Sequence, residues 1–171
     1  MHRFVYILIT LVLFSCQEEE PDQPKEVNWT KNDSYTLGKN VAENEELKIR
    51  IFLEMHKDWD VQQTGTGLRY YIYEKGDGPI PERKQVAEIE YVVSLLDGTE
   101  CYRTEDDEYE ELLVDQSDVE TGVQEAIKLM HVGDRAKLII PSHIGHGLLG
   151  DRNKIPPLTT LVVDLHLMGI K

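Results

Sequence analysis

A short run of threonine and glycine at residues 64–67 divides the sequence into two parts that must fold differently. Before it, within residues 42–59, the apolar residues Leu47, Ile51 and Met55 recur every four positions with Phe52 beside them, which is the pattern of an amphipathic helix. We expect this helix to pack its apolar side on the domain that follows. After the run, apolar and polar residues alternate as they do in β-strands. The pattern therefore predicts an N-terminal helix and linker over residues 41–65 and a sheet domain over 66–171.

The sheet domain contains five predicted strands, a single helix and two long loops. The strands fall at residues 68–74, 86–96, 99–104, 135–140 and 158–170, and Asp97-Gly98 predicts a tight turn between the second and the third. The helix follows from apolar residues at helical spacing between Val119 and Met130, with Ser117 or Asp118 as its N-cap and Gly133 after its end. One helix among several strands indicates the α+β class.

The two loops differ in character. Residues 105–110 contain five acids in six positions and predict an exposed, solvated loop. Residues 141–157 form a loop that is long for a compact domain, and loops of that length are usually functional.

Four segments in the second half recur in the order and spacing of a known family. They are residues 133–141 (GDRAKLIIP), Gly147, residues 155–157 (IPP) and residues 160–165 (TLVVDL), and Tyr91 lies seven residues before Gly98 in the hairpin. Together they resemble the FKBP-type peptidyl-prolyl cis-trans isomerases. The resemblance covers residues 66–171 and implies a twisted antiparallel sheet wrapped around one central helix, with the amphipathic N-terminal helix before it. Extended lipoprotein members, such as the gliding-motility-associated isomerases, are similar in layout.

The resemblance also implies an apolar pocket between the sheet and the central helix. The family's pocket positions correspond here to Tyr91, Val119, Glu120, Val123, His146, Ile155 and Val163, and also to Cys101, Tyr102 and Leu112. Several of these replace an aromatic residue, and Tyr102 stands where an aspartate is usual. Because aromatic walls supply stiff contact area, each loss is expected to weaken ligand contacts by about 1 kcal/mol, which disfavours macrolide binding.

No cofactor and no metal are expected, because rotation about an X-Pro bond needs neither. His143 and His146 lie three residues apart, but no third ligand is in register with them. Cys101 lacks the neighbours that mark a nucleophile, so a small buried residue is the favoured interpretation.

The N-terminus predicts export and lipid attachment. His2 and Arg3 precede an apolar run over residues 4–14, which is too short to span a bilayer, and Ser15-Cys16 follows. This pattern resembles a bacterial lipobox, so residues 1–15 are predicted to be a lipoprotein signal peptide, Cys16 the lipid-carrying residue, and 16–40 a flexible tether. The alternative is an ordinary cleaved signal peptide with Cys16 incidental.

The formal net charge is −14 at pH 7, which disfavours nucleic acid as a partner. The acidic residues 18–20 directly after Cys16 resemble a surface-export tag, so anchoring to the outer membrane is expected, on either its periplasmic or its surface face. The expected partners are proline-containing or unfolded exported proteins.

Three functions remain open at this point. The first is an isomerase that assists proline-limited folding in the cell envelope. The second is a non-catalytic binding module or chaperone on the same fold, and the third is a structural subunit docked through the acidic surface and the first helix.

Overall fold

The structure is a computed structural model that describes residues 30–106, 108–116 and 119–171. Its two helices are α1 (Lys31–Met55) and α2 (Thr121–Ile127), and a short 3₁₀ turn spans Ser142–Ile144. The strands are β1 (Gln62–Gln63), β2 (Arg69–Glu74), β3 (Val86–Leu95), β4 (Glu100–Arg103), β5 (Glu110–Leu113), β6 (Arg135–Ile140) and β7 (Leu161–Ile170). Neither of these helices is long and apolar enough to cross a membrane.

All seven strands form one antiparallel sheet, in the order β1-β2-β6-β7-β3-β4, with β5 also paired to β3. The predicted α+β class, with a sheet wrapped around one central helix and preceded by an N-terminal helix, is confirmed. Strand β6 has the bounds that the sequence predicted, and the hairpin turns at Gly98, which has a positive φ of 86°.

Strand β3 has 10 residues, as many as β7, and carries two partners on its outer edge. Its N-terminal half pairs with β5, through Val86 opposite Leu113, and its C-terminal half pairs with β4, through Val92 opposite Arg103. The sequence did not predict β5. It lies at the end of the acidic loop, where charged residues conceal a strand whose inward side chain, Leu112, is 1% exposed.

The two faces of the sheet are covered by different helices. Helix α2 packs on one face, called here the α2 face, and buries Val123, Ala126 and Ile127 in the main core. It approaches β6 so closely that a Cβ at Gly122 would lie 2.6 Å from Cγ2 of Ile140. Helix α1 packs on the opposite face, called the α1 face, through Ile49 and Phe52 against Ile139 and Val162.

Polar contacts of two glutamates add to the docking of α1. The Glu45 carboxylate accepts hydrogen bonds from Ser142 N at 2.7 Å, from Ser142 Oγ at 3.0 Å and from Thr160 Oγ1 at 2.7 Å. Glu46 forms an ion pair with Arg69, whose residue exposure is only 6%.

Helix α1 differs from its prediction in two ways. It begins at Lys31 rather than at residue 41, because Thr30 and Asp33 form a capping box that starts it inside the predicted tether. The predicted packing side was only partly right: Phe52 is buried, at 8% exposed, but Leu47, Ile51 and Met55 are 48%, 54% and 68% exposed. The side that packs is centred on Glu45, Ile49 and Phe52, where a glutamate interrupts the apolar spacing and hides it from a periodicity search.

Helix α2 is shorter than predicted, because it ends at Ile127 and Met130 is buried in the turn that follows. Its N-cap is Glu120, whose side chain makes no capping hydrogen bond. The predicted caps Ser117 and Asp118 lie outside the described residues. The predicted signal peptide, Cys16 and the predicted tether up to residue 29 also lie outside them.

Candidate functional site

A cavity of about 300 Å³ opens on the α2 face, between the sheet and the N-terminal end of α2. Its lining comes from β3, β4, β5, β7, the start of α2 and the loop before β7. The residues that line it are Ile89, Tyr91, Val93, Tyr102, Glu110, Glu111, Leu112, Val119, Glu120, Val123, His146, Asp151, Val163 and Leu165.

The period of the strands explains the apolar part of this lining. Alternate residues of a strand point to one face, so Ile89, Tyr91 and Val93 of β3 all face the cavity. The register of β3 against β7 sets Tyr91 opposite Leu165 and Val93 opposite Val163. Four neighbouring side chains thus form a continuous apolar surface, with the Tyr91 ring at one end.

The helix and the short strand β5 close the other sides. Val123, in the first turn of α2, is 7% exposed, and Leu112 of β5 is 1% exposed. Val119, just before the helix, is 36% exposed and lies at the mouth of the cavity. The cavity is therefore apolar at depth and open to solvent beside α2.

Three polar pairs surround the mouth, and each joins an aromatic ring to a carboxylate. The Tyr91 hydroxyl donates to Oε1 of Glu110 at 2.7 Å. Nε2 of His146 lies 2.6 Å from Oε1 of Glu120, which links the long loop to the start of α2.

In the third pair the Tyr102 hydroxyl donates to Asp151. Desolvation works to raise the pKa of the Asp151 carboxyl, but the hydrogen bonds from Tyr102 and from the backbone N–H groups of Asn153, Ile155 and Lys154 outweigh it. The net effect is a pKa well below the ordinary range of aspartate, so Asp151 is a carboxylate at neutral pH.

The Tyr91 hydroxyl is held in its neutral form. Desolvation, the hydrogen bond to Glu110 and the charges of Glu110 and Glu120 all raise the pKa of Tyr91 above its ordinary value. A neutral phenol donates its proton to the carboxylate, so Tyr91 contributes a ring wall to the cavity and fixes Glu110 at the mouth.

Eight of the ten residues predicted for the pocket line this one cavity. They are Tyr91, Tyr102, Leu112, Val119, Glu120, Val123, His146 and Val163. Their roles in binding or turnover remain predictions.

The other two predicted residues, Cys101 and Ile155, lie in the core beside the cavity and are 2% and 3% exposed. Cys101 directs its Sγ to the carbonyls of Lys154 and Thr99, at 3.8 and 3.9 Å. Burial raises the pKa of its thiol, which agrees with a packed residue rather than a nucleophile.

Six lining residues were not predicted as site residues: Ile89, Val93, Glu110, Glu111, Asp151 and Leu165. The strand period contained the signal for Ile89 and Val93, which flank Tyr91 two residues away on each side. Asp151 had no signal in the sequence, because only the folded loop brings it to Tyr102.

The two loop histidines contact different groups. Nε2 of His143 lies 2.8 Å from the carbonyl of Thr66, whereas His146 pairs with Glu120. Within the described part of the chain, no cluster of three or more His, Cys, Asp or Glu residues could hold a metal ion.

Residues 78–168 match the family described as FKBP-type peptidyl-prolyl cis-trans isomerase. Over 126 residues, the chain is 32% identical to the FKBP-type 22 kDa peptidyl-prolyl cis-trans isomerase of Escherichia coli K12. The aligned residues cover 71% of the chain and 59% of that protein. The chain is also 32% identical to the isomerase FkpA of the same strain, over 79% of the chain and 49% of the relative. The chain thus spans about half to three fifths of the length of these curated relatives.

Two solved structures have the same fold. The crystal structure of FkpA from Escherichia coli gives a TM-score of 0.67 at 29% identity and covers 81% of this chain and 64% of its own. A peptidyl-prolyl cis-trans isomerase from Pseudomonas syringae gives a TM-score of 0.65 at 25% identity and covers 78% of this chain and 95% of its own.

Proposed function

The chain belongs to the FKBP-type peptidyl-prolyl cis-trans isomerase family, and we propose that it catalyses the cis-trans isomerisation of X-Pro bonds in polypeptides. The observation that carries this proposal is the apolar cavity on the α2 face, which combines a large apolar surface with polar groups only at its mouth. It has room for a proline ring and the residue before it.

The reaction needs no nucleophile, because the X-Pro amide isomerises by rotation against a barrier of about 18–20 kcal/mol. Twisting the amide reduces its resonance and its charge separation, so the twisted form loses less than the planar form on leaving water. An apolar cavity therefore lowers the barrier by binding the twisted amide better than the planar one.

Each group has a role in this proposal. Tyr91, Val123 and Val163 supply the apolar surface against the proline ring. His146 stands at the mouth, where the carbonyl of the twisting amide turns; its Nε2–H donates to Glu120, so it offers that carbonyl a hydrogen bond only by releasing Glu120. The backbone at Val119 and Glu120 forms the edge along which the peptide lies.

The test is a measurement of cis-trans exchange in short X-Pro peptides, with the full chain in a neutral detergent. We expect exchange faster than the uncatalysed rate. Tyr91→Ala removes about 1 kcal/mol of contact and so lowers kcat/KM roughly fivefold. Tyr73→Ala is the matched control, since Tyr73 is a strand tyrosine of β2 that does not line the cavity.

Cis-trans exchange at the uncatalysed rate would contradict the isomerase proposal. If peptides still bound under those conditions, the chain would be a binding module on the same fold.

We further propose that the chain is a lipoprotein of the bacterial cell envelope, anchored to the outer membrane through Cys16. The support is the apolar run before Cys16 and a relative from Legionella longbeachae named outer membrane protein MIP, 29% identical over 131 residues. Clients would then be exported proteins with slow proline steps. Labelling cells with a fatty-acid analogue should mark the wild-type chain and not the Cys16→Ala variant. Equal labelling of both would refute the lipid anchor at Cys16.

A further inference from the structure

The mouth of the cavity is acidic. Four carboxylates line it, those of Glu110, Glu111, Glu120 and Asp151, and none of the described residues that line it is a lysine or an arginine. A peptide that places its proline in the cavity must pass its neighbouring side chains over these groups.

One of the four carboxylates is neutralised by a cation. Glu111 pairs with the ammonium of Lys171 at 2.6 Å. Glu110 instead accepts from the neutral Tyr91 hydroxyl, and Glu120 is paired with His146, an imidazole that is charged only when protonated.

Asp151 accepts from the Tyr102 hydroxyl and from backbone N–H groups of its own loop. Lys154 on that loop points elsewhere: its ammonium donates to the Cys101 carbonyl at 2.6 Å and lies 4.9 Å from the centre of the Tyr102 ring. Among the described residues, Glu110 and Asp151 therefore have no cationic side chain as a hydrogen-bond or ion-pair partner, and Glu120, whose side chain is only 22% exposed, is paired with an imidazole alone.

Partly buried charges of one sign act more strongly on a ligand than exposed ones, because less water screens them. A lysine or arginine beside the proline can lay its apolar stem along the cavity rim and reach a carboxylate with its charged head. An acidic side chain at the same place meets repulsion from these carboxylates.

We propose that this site selects X-Pro segments that carry a lysine or arginine within two residues of the proline. This inference rests on the proposed function, since it names the substrate class of the same cavity.

The experiment uses two peptide series that differ at one position, directly before or directly after the proline, with Lys, Gln or Glu in that position. Cis-trans exchange gives kcat/KM, and titration into the isotope-labelled full chain in neutral detergent gives Kd for the same peptides. We expect Lys to exceed Glu by roughly tenfold in at least one series, with Gln between them, and the ratio to fall as salt is raised towards 1 M.

Two variants locate the effect. Glu120→Gln and Asp151→Asn should each lower the ratio of Lys to Glu peptides by about threefold. Glu54→Gln is the matched control, because it removes one negative charge from α1 on the opposite face and should leave the ratio unchanged.

The outcomes separate the two proposals. Catalysis with equal kcat/KM and Kd for Lys and Glu peptides overturns the charge preference and leaves the isomerase function standing. If no catalysis is measured but Lys peptides bind more tightly than Glu peptides, the isomerase function is overturned and the charge preference stands. If Glu54→Gln lowers the preference as much as the pocket variants do, the preference reflects net charge, and the inference is also overturned.

Discussion

The two helices cover opposite faces of the same sheet, yet the shorter one buries more. Helix α2 has 7 residues, of which Gly122, Val123, Gln124, Ala126 and Ile127 are buried. Helix α1 has 25 residues, of which only Ile49 and Phe52 are buried. Helix length thus says little about contribution to stability, which depends on the apolar area that is removed from water.

The two helices also differ in what holds them. Helix α2 belongs to one continuous apolar core that includes side chains from β3, β6 and β7. Helix α1 rests on a small second cluster and on the carboxylates of Glu45 and Glu46. We therefore expect α1 to leave the sheet without unfolding the domain, whereas α2 cannot.

The largest expected effect is that of Ile127→Ala in α2. Ile127 is 0% exposed, and removing its side chain from a core that cannot collapse around the gap costs about 4 kcal/mol. Urea unfolding should show this as a lower midpoint with an unchanged slope. A loss under about 1 kcal/mol would mean that α2 is not part of the cooperative core.

Ile49→Ala in α1 is the matched change on the other face. Ile49 is 1% exposed, so the two isoleucines are equally buried, but the loss at Ile49 is limited by the free energy of docking α1. We expect about 2 kcal/mol, together with faster amide exchange in α1 and unchanged exchange in β6. A loss of stability as large as that of Ile127→Ala, together with faster amide exchange in β6, would contradict the separation of the two faces.

Glu45→Ala tests the polar part of the α1 contact. Its carboxylate accepts three hydrogen bonds, and their loss leaves the nearly buried Ser142 and Thr160 without these partners, at a cost of about 1.5 kcal/mol. Glu43→Ala, at an exposed position of the same helix, is the control and should have little effect. Equal stabilities of the two variants would show that apolar contacts alone dock α1.

The difference between the α1 face and the α2 face also explains how much of the fold could be predicted from the sequence. The α2 face was predictable, because the alternating apolar residues of the strands and the apolar side of one helix indicate the same buried layer. Eight predicted residues line one cavity there. The α1 face was harder to predict, because glutamates make part of its contacts beside Ile49 and Phe52, and a search for apolar periodicity ignores them. Leu47, Ile51 and Met55 have the helical spacing yet are exposed.

Within the site, the apolar walls were easier to predict than the polar mouth. Strand alternation places Ile89, Tyr91 and Val93 on one side before any fold is known. The partners Glu110 and Asp151 depend on how β5 and the long loop return to the sheet, and neither local pattern nor spacing reveals that. Cys101 and Ile155 were assigned to the cavity by resemblance, but their side chains lie in the core behind it.

The smallest expected effect compares two carboxylates. Glu45 joins α1 to the rest of the domain, whereas Asp151 binds the Tyr102 hydroxyl of β4 and the backbone of its own loop. The pKa of Asp151 is lower in the folded chain than in the unfolded one, so its charged form stabilises the fold. That contribution is complete above the unfolded pKa of about 3.9 and is lost as the pH falls through the folded value.

Asp151→Asn should therefore be slightly less stable than the parent chain at pH 6, and the difference should shrink once the pH falls below about 4. Urea unfolding of both proteins over a pH series measures this, and the subtraction removes the titration of the other acids. Glu54→Gln, which changes charge on α1, serves as the control. A difference that stays constant with pH would mean that Asp151 acts through loop packing rather than through its charge, and the contrast with Glu45 would then disappear.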